Sequence, residues 1–357
     1  MMYQTFTVRG FRGFRDLEIN DLARINLIGG KNNVGKTSLL EAFFLFANPH
    51  NGELWIRLNA FRGLSRIEII TDTLSTDTQR STAFDSLFYQ FDSSQEIQLA
   101  GRSDQQEYDF RLASVKNTHE RAMINLSSQA VQPIFQLSVQ DKIQSDSVTE
   151  INVKVETGQL MVSSPSSKDR HPTYFFNSTV RESFGVVAER FSNLILEGQE
   201  SLVVKALQAI EPRIQSARLL QRYGEVMVHV EIGDGKPTPI VLMGDGMNRF
   251  LQLVLAMGNA RNGVILIDEI ENGLHYSTHA KIWQLLGEVA ELFNVQVIAT
   301  THSSEMIESA YDAFHEQEDP ALFRYHRLAR RKNGDITITT YSPDAIQSSL
   351  EMDFEVR

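Results

Sequence analysis

Apolar and polar positions alternate in several stretches of the chain, between short clusters of Ser, Asp, Gly and Asn. This period of two is typical of antiparallel strands with one face in the core and one in water. It predicts strands at residues 3–10, 15–20, 95–99, 108–112, 135–139, 150–155 and 226–232. The last of these forms a hairpin with residues 239–243. The region from Leu54 to about Pro172 is therefore predicted to consist of antiparallel strands.

Other apolar runs are short and continuous, as expected for strands that are buried on both faces of a parallel sheet. They lie at residues 24–28, 172–177, 264–267 and 295–299. Helical spacing predicts helices ending near Ala47 and Met257, and a helical pair at residues 179–196 and 199–221. One face of that pair contains Val180, Phe184, Val187, Phe191, Leu194 and Ile195. A hairpin of residues 325–328 and 335–341 and a short acidic helix are predicted after Ser304.

A glycine-rich turn separates the first buried strand from the first helix. Its residues are Gly30, Lys31, Asn32, Asn33, Val34, Gly35, Lys36, Thr37 and Ser38, which fit the pattern G-x-x-x-x-G-K-[ST]. Glycines let backbone N–H groups converge on a phosphate, Lys36 adds a positive charge, and the Thr37 hydroxyl can ligate Mg²⁺. Because the turn follows a strand and precedes a helix, it is predicted to be a phosphate-binding loop.

Two carboxylates, Asp268 and Glu269, directly follow the buried run at residues 264–267. Acids at the carboxyl end of a buried strand lie where open α/β sheets place their ligands. Asp268 is suited to the Mg²⁺ shell, and Glu269 is suited to polarising an attacking water. Many strands end in acids, so this interpretation depends on the phosphate-binding loop earlier in the chain.

Three further segments accompany these acids. Gly244, Asp245 and Gly246 open a helix whose first N–H groups could face a phosphate, although a glycine-rich helix start without a ligand is the alternative. Residues 271–275, which include Asn272, directly follow the acids. His302 ends the last buried strand, where it is predicted to sense the γ-phosphate rather than to serve the core.

Composition limits the class of protein. The 357 residues, 42% of them hydrophobic, suffice for two globular domains or for one large domain with an insertion. No apolar run approaches the roughly 20 residues that span a bilayer, and the N-terminus has no secretory signal. The absence of cysteine excludes disulfides and thiolate chemistry and is compatible with the cytoplasm. We therefore expect a cytoplasmic protein without membrane contact.

The charge distribution limits the partners. A net charge of −11 argues against extensive nucleic-acid binding, so any contact would need a local basic patch. One candidate patch contains Arg324, Arg327, Arg330, Arg331 and Lys332, with a solvated hairpin as the alternative. A second arginine cluster lies in the turn between the first two strands, at residues 9–15. An arginine of this turn could reach a bound adenine or phosphate, or all of them are solvated.

These motifs, in this order, resemble the ATPase head of ABC-type proteins of the RecF/SMC group. Within that group the chain is most similar to stand-alone ATPases related to the OLD (overcoming lysogenisation defect) proteins. Two segments are typical of these ATPases: Phe11-Arg12-Gly13-Phe14 and the glycine-rich turn at residues 30–38. The segments that match the family cover about residues 1–48 and 240–304. The resemblance implies an α/β P-loop NTPase with a mixed sheet, an antiparallel β-rich lobe and a short helical insertion.

The resemblance also implies roles and boundaries. Lys36 and the loop amides would hold the ATP phosphates, Thr37 and Asp268 would share Mg²⁺, Glu269 would be the general base and His302 the switch histidine. Gly244 to Arg249 would be a signature motif that caps the ATP of a second subunit, and Asn272 would lie in the segment linking the two sites. The ATPase core would comprise residues 1–48 and 240–320, beside a β-rich lobe (49–177), a helical insertion with a hairpin (178–239) and a C-terminal hairpin and tail (321–357).

Three departures from the family pattern matter. The signature normally begins with serine, where this chain has Gly244, and the Mg²⁺-sensing glutamine has only Gln132 and Gln136 as candidates. OLD nucleases append a TOPRIM domain, which needs an early glutamate and an Asp-x-Asp pair to bind two metals. Only 53 residues follow Ser304, without an Asp-x-Asp, so this chain is not expected to be a nuclease by itself.

The sequence therefore predicts an ATPase that works as a switch, in a homodimer or a higher even oligomer. It would gate a separate effector, such as a TOPRIM-like or other nuclease, or DNA or RNA, in anti-phage defence or DNA repair. The alternative is a nucleotide-gated scaffold with negligible hydrolysis and no nucleic-acid contact. A transporter ATPase is disfavoured by the β-rich insert, and a kinase by the Asp268–Glu269 pair, which suits water activation.

Overall fold

The computed structural model describes residues 2–62, 83–114, 135–141, 148–156, 159–163, 171–177, 182–315, 322–342 and 345–346. Its strands are β1 (Tyr3–Phe11), β2 (Phe14–Ile19), β3 (Ile25–Gly29), β4 (Glu96–Ser103), β5 (Glu107–Ser114), β6 (Phe135–Asp141), β7 (Val148–Glu156), β8 (Gln159–Ser163), β9 (Thr173–Phe176), β10 (Ser216–Arg222), β11 (Glu225–Glu231), β12 (Thr238–Pro239), β13 (Val264–Ile267), β14 (Gln296–Thr300), β15 (Phe323–Arg330) and β16 (Ile336–Tyr341). Its α-helices are α1 (Lys36–Ala47), α2 (Gly52–Phe61), α3 (Phe184–Leu196), α4 (Glu200–Gln208), α5 (Asp245–Asn259), α6 (His279–Leu292) and α7 (Ser304–His315).

One sheet is antiparallel, with the strand order β2-β1-β4-β5-β6-β7-β8. Its inner face packs on α1, where the rings of Phe6 and Phe43 stack with their centroids 3.9 Å apart. The alternation predicted for these strands is confirmed where burial is described, for example by Ile97 and Leu99 on β4, which are fully buried between exposed or half-exposed neighbours. The first two strands belong to this sheet because β1 pairs with both β2 and β4.

The second sheet is mixed, with the order β16-β15-β3-β14-β13-β9. Its strands are parallel except for β16, which pairs antiparallel with β15 as the predicted C-terminal hairpin. Successive residues of the central strands enter different cores. Ile28 and Leu266 face the core shared with α1 and the antiparallel sheet, whereas Leu27 and Ile265 face the core shared with α5, α6 and α7. The predicted α/β class is confirmed.

The prediction of a helix over residues 199–221 was wrong in its second half. α4 ends at Gln208, and β10 begins at Ser216 and pairs antiparallel with β11. Pro212 lies between them. Proline has no N–H to donate and its ring clashes with the preceding helical turn, so a helix cannot run through this position without a kink. The apolar residues after Pro212 therefore join a sheet instead of continuing the helix.

Two other helices differ from the prediction in detail. α2 lies inside the region that was assigned to strands; the Asn51 side chain caps it by accepting a hydrogen bond from the Glu53 N–H (3.1 Å). On α3, the predicted apolar face is buried at Val187, Phe191 and Leu194. The other described members of that face, Phe184 and Ile195, are exposed by 38% each, and Val180 lies outside the described residues.

Some expectations fall partly or wholly outside the described residues, among them Gln132 and most of the acidic C-terminal helix. Gln136 is described on β6, where its amide donates to a carboxylate oxygen of Glu150 (3.2 Å). Within the described ranges every helix is too short or too polar to cross a bilayer. The division into domains stays a prediction, although the sheet pairing groups β1 and β2 with the β-rich region and β15 with β3.

Candidate nucleotide site

Three neighbouring parallel strands end at one edge of the mixed sheet. β3 leads into the glycine-rich turn, β13 into Asp268 and Glu269, and β14, which lies between them, into His302. Carboxyl ends of parallel strands meet at the same edge, and open α/β sheets bind their ligands there. Segments that are far apart in the chain thus meet at one place.

The glycine-rich turn adopts a backbone that its glycines allow. Gly30 (φ +142°) and Gly35 (φ +107°) have positive φ, and a Cβ on Gly30 would lie 2.6 Å from the carbonyl oxygen of Leu328. α1 begins at Lys36, whose Nζ donates to the carbonyl oxygens of Gly30 (2.6 Å) and Lys31 (3.3 Å). Burial lowers the pKa of Lys36, and nearby acids oppose that shift. The lysine therefore reaches back over the loop, where a phosphate would bind.

Asp268 and Thr37 lie in direct contact although 231 positions separate them. The Thr37 hydroxyl donates to both carboxylate oxygens of Asp268 (3.2 and 3.0 Å), and the Thr300 hydroxyl donates to one of them (2.8 Å). Asp268 is 4% exposed, and its burial raises its pKa against the effect of these hydrogen bonds. Among the described residues, no Lys, Arg or His forms a salt bridge with Asp268. A buried carboxylate beside a hydroxyl suits a hard cation such as Mg²⁺.

Glu269 is held in an unusual backbone conformation. Its φ is +50°, in the left-handed region that non-glycine residues rarely adopt, and its N–H donates to the Thr300 hydroxyl (3.0 Å). The Asn272 amide donates to the Glu269 carboxylate (2.8 Å). The side chain of Glu269 is 39% exposed. Strain of this kind is typical of functional sites, and it leaves a fixed carboxylate that water can reach.

His302 lies beside Glu269 but makes its closest contact with Glu271. Nδ1 of His302 lies 2.8 Å from Oε1 of Glu271 and 4.0 Å from Oε1 of Glu269. The His302 backbone N–H also donates to Oε1 of Glu271 (2.8 Å). Sequence reasoning gave Glu271 no role, and its acidic character two positions after Glu269 was the available signal.

α5, which carries the predicted signature motif, packs against the segment that holds the acids. A Cβ on Gly246 would lie 1.8 Å from the Gly273 carbonyl oxygen, so two backbones touch at this point. One turn further on, Nη2 of Arg249 donates to the carbonyl oxygens of Asp268 (2.5 Å) and Glu269 (3.0 Å). The start of α5 is therefore tied to both acids of the same chain.

A cavity of about 830 Å³ opens at this edge of the sheet. The residues of the predicted site that line this cavity are Asn32, Asn33, Gly35, Lys36, Thr37, Ser38, Asp268 and Glu269. The lining does not include the other residues of the predicted site, which are Gly30, Lys31, Val34, Asn272, His302 and the segment from Gly244 to Gly246. Gly244 and Asp245 are exposed, and a Cβ on Gly244 would meet no atom within 4 Å. The chain thus brings the phosphate loop and acids together, while the start of α5 stays outside their cavity.

A buried ionic cluster borders the same cavity. The carboxylate of Glu41 on α1 is fully buried and pairs with Arg12 (2.7 Å) and, through two hydrogen bonds of 2.9 Å, with Arg62. Arg62 also donates to the Ser38 hydroxyl (3.0 Å). Nη2 of Arg12 is buried and has no hydrogen-bond partner among the described residues. Sequence reasoning singled out the arginines of the first turn but missed Glu41 and Arg62, which only folding brings together.

The predicted basic patch on the C-terminal hairpin is not one continuous surface. Arg324 forms an ion pair with Asp21 (2.6 Å). On β15, Arg324 and Arg330 point to one face and Arg327 to the other, because side chains alternate along a strand. Arg331 and Lys332 are exposed in the turn. The cations are therefore divided between two faces and a turn.

Known proteins resemble this chain in sequence and in fold. A protein described as an ATP/GTP phosphatase from Helicobacter pylori is 24% identical to this chain over 337 residues. The matched region covers 86% of this chain and 87% of the relative's length. The structure of an SmcHead bound to the C-winged helix domain of ScpA superposes with a TM-score of 0.54 at 11% identity, over 98% of this chain and 100% of the other.

A second structure is an Smc head domain with an extended coiled coil, bound to the C-terminal domain of ScpA derived from Pyrococcus furiosus. It superposes with a TM-score of 0.53 at 12% identity and covers 99% of each chain. The fold is thus that of an SMC-head-like P-loop NTPase, of the ABC/RecF/SMC kind. A family model matches residues 25–308, and the chain belongs to the family it describes, "AAA domain, putative AbiEii toxin, Type IV TA system".

Proposed function

We propose that this chain binds and hydrolyses ATP with Mg²⁺ and works as a molecular switch in the cytoplasm. One observation carries the proposal: Lys36, Thr37, Asp268 and Glu269 line one cavity beside the phosphate loop. The name of the Helicobacter pylori relative, an ATP/GTP phosphatase, supports hydrolysis of a nucleoside triphosphate.

Each of these residues has a role that its contacts support. Lys36 and the N–H groups at the start of α1 would hold the β- and γ-phosphates. Thr37 and Asp268 would hold Mg²⁺, which neutralises phosphate charge when bound. Glu269 would accept the proton of the attacking water, and the amide of Asn272 keeps its carboxylate in place for that step. His302, held by Glu271, would contact the γ-phosphate from the neighbouring strand.

The switch would need a second copy of the chain. Gly244 and Asp245 are exposed at the start of α5 and lie outside the cavity of their own chain, so this helix start would face the ATP of another subunit. This arrangement supports a homodimer or a higher even oligomer with two shared ATP sites. The Smc head structures hold ScpA as a partner, which supports partner gating by this fold.

The partner and pathway belong to the same proposal. We infer an OLD-like system in which the ATPase gates a separate effector, such as a TOPRIM-like or other nuclease, or DNA or RNA. The family description, which names a toxin of a toxin–antitoxin system, and the motifs shared with OLD-like ATPases support a role in anti-phage defence or DNA repair.

Two variants test the proposal. Glu269→Gln should reduce ATP turnover by about 100-fold or more while ATP binding persists, because only the base is lost. Lys36→Ala should lose ATP binding and, with it, ATP-dependent dimerisation. Turnover is measured by phosphate release, and dimerisation by light scattering with and without ATP. Lys281→Ala and Glu291→Gln, two exposed positions on α6, are matched controls.

The proposal fails if neither Lys36→Ala nor Glu269→Gln changes turnover or ATP-dependent dimerisation. Near-background turnover in the wild type, with and without DNA, together with ATP-dependent dimerisation would instead support the nucleotide-gated scaffold.

A further inference from the structure

The cavity of the proposed ATP site extends well beyond the residues that would hold phosphates. Its other lining residues include the short 3₁₀ segment Tyr89–Phe91 and the turn residues Asn333 and Gly334 between β15 and β16. We infer that this end is the subsite for the nucleotide base, and that the base binds mainly by stacking on Phe91. The inference rests on the proposed nucleotide function and adds the residue that receives the base.

Phe91 is placed in a way that folding alone does not favour. Its side chain is 71% exposed, although aromatic rings are normally buried. Gln90 (φ +54°) and Phe91 (φ +62°) are consecutive non-glycine residues in the left-handed region, which costs free energy at each position. An exposed ring on a strained turn gains nothing from burial within its own chain. Strained positions that persist cluster at ligand-binding sites, and this one borders a cavity.

Backbone contacts hold the strained segment at Gln90 and Phe91 against the neighbouring strand β1. The Arg12 N–H donates to the Leu87 carbonyl oxygen (2.8 Å), and Phe88 forms a β-bridge with Phe11. Phe88 is 1% exposed, so it anchors the segment in the core. The Phe91 N–H donates to the Phe88 carbonyl oxygen (3.1 Å), which fixes the backbone that carries the exposed ring. The ring is therefore presented beside the turn of β1 and β2 in a preorganised position.

The polar groups that the turn between β15 and β16 brings to the cavity are engaged within their own chain. The Asn333 amide donates to the Asp335 carboxylate (2.7 Å), and its carbonyl oxygen accepts from the Asp335 N–H (3.1 Å). The Gly334 carbonyl oxygen accepts from Nη1 of Arg330 (2.9 Å). Strong base selection needs groups that hydrogen-bond the edge of one base, whereas stacking tolerates every base because each has a π-face. This subsite therefore holds adenine and guanine with similar affinity.

Equilibrium binding of ATP, GTP and inorganic tripolyphosphate to the full chain, with Mg²⁺ present, tests the inference. Phe91→Ala should lower the binding affinity for ATP and for GTP by roughly ten- to hundredfold each, which is the usual effect of removing one stacked ring. Tripolyphosphate, which has no base, should bind the variant as it binds the wild type. Phe91→Trp should restore nucleotide affinity.

Tyr223→Ala is the matched control, because Tyr223 is also an exposed aromatic (83%) at positive φ (+56°), but it lies in the turn of β10 and β11 outside the cavity. It should leave all three affinities unchanged. Unchanged ATP affinity in Phe91→Ala would overturn the subsite, and a preference of the wild type above about 100-fold for one purine would overturn recognition by stacking. Both outcomes leave nucleotide binding intact, whereas a wild type that binds neither nucleotides nor tripolyphosphate overturns the proposed function as well.

Discussion

Glu271 holds His302 at two points with a single carboxylate oxygen. Oε1 lies 2.8 Å from the backbone nitrogen of His302 and 2.8 Å from Nδ1 of its ring. Oε2 is buried and has no hydrogen-bond partner among the described residues. When Nδ1 carries the proton towards Glu271, the second ring nitrogen, Nε2, is left to meet a ligand. Glu271 is therefore a positioning residue for His302.

Loss of Glu271 should act through His302. We expect Glu271→Ala to lower kcat by about tenfold with little change in KM, as loss of an orienting partner usually does. Added to His302→Ala it should cause no further loss, because the two residues act as a unit. Steady-state kinetics of the two single variants and the double variant measure this, with Glu305→Ala on α7 as the control. Additive losses in the double variant would contradict the relationship.

Gly246 should not tolerate a side chain. In Gly246→Ala the new Cβ would lie 1.8 Å from the Gly273 carbonyl oxygen, so the two backbones must separate. We expect a destabilisation of about 1–3 kcal/mol, typical of overpacking, and weaker ATP-dependent dimerisation. Urea denaturation and light scattering measure the two effects. Gly185→Ala, where a Cβ meets nothing within 4 Å, should be neutral or stabilising. Equal behaviour of the two variants would show that this contact is unimportant.

Glu41 should be essential to stability. Glu41→Gln removes the carboxylate that is fully buried between Arg12 and Arg62, and breaking a buried pair typically costs about 3 kcal/mol. The exposed pair of Arg9 and Asp16 (2.8 Å) offers a contrast, and Asp16→Asn should cost less than about 1 kcal/mol. Both values come from urea denaturation of the nucleotide-free protein. A small effect of Glu41→Gln would contradict this role of the buried carboxylate.

His326 should make the protein sensitive to acid. Burial, reinforced by the charge of Arg324, lowers the pKa of His326 to about 3. Between pH 6.5 and about 3 the unfolded chain therefore binds a proton that the folded chain excludes. The free energy of unfolding should fall by up to ~1.4 kcal/mol per pH unit on acidification through this window, and this contribution should be constant above it.

Denaturation curves between pH 7.5 and 5 test this dependence. His326→Gln, which can keep polar contacts to Thr340 and Asn26, should show a shallower slope than the wild type. His275→Gln, at an exposed position, should retain the wild-type slope. Identical slopes in all three proteins would exclude His326 as the source.

Much of the site could be predicted because its signals are local. Residues 30–38 carry the loop chemistry in consecutive positions, and the φ values that Gly30 and Gly35 adopt are those that glycine permits. The apolar run before Asp268 likewise indicates a buried strand that ends in acids. The helix assigned through Pro212 failed for a local reason as well, since the break was visible in the chain and outweighs apolar spacing.

The sequence by itself determined the backbone of the glycine-rich loop at residues 30–38 and which strands are buried, because backbone stereochemistry and hydrophobic periodicity act over a few neighbouring residues. Only the tertiary structure decided that Glu41 joins Arg12 to Arg62, that Glu271 holds His302, and that Phe91 stands at the end of the cavity. These relationships depend on strand order and on contacts between distant segments, such as the 231 positions between Thr37 and Asp268. Such contacts form only when burial of the two cores brings the segments together, so no local pattern encodes them.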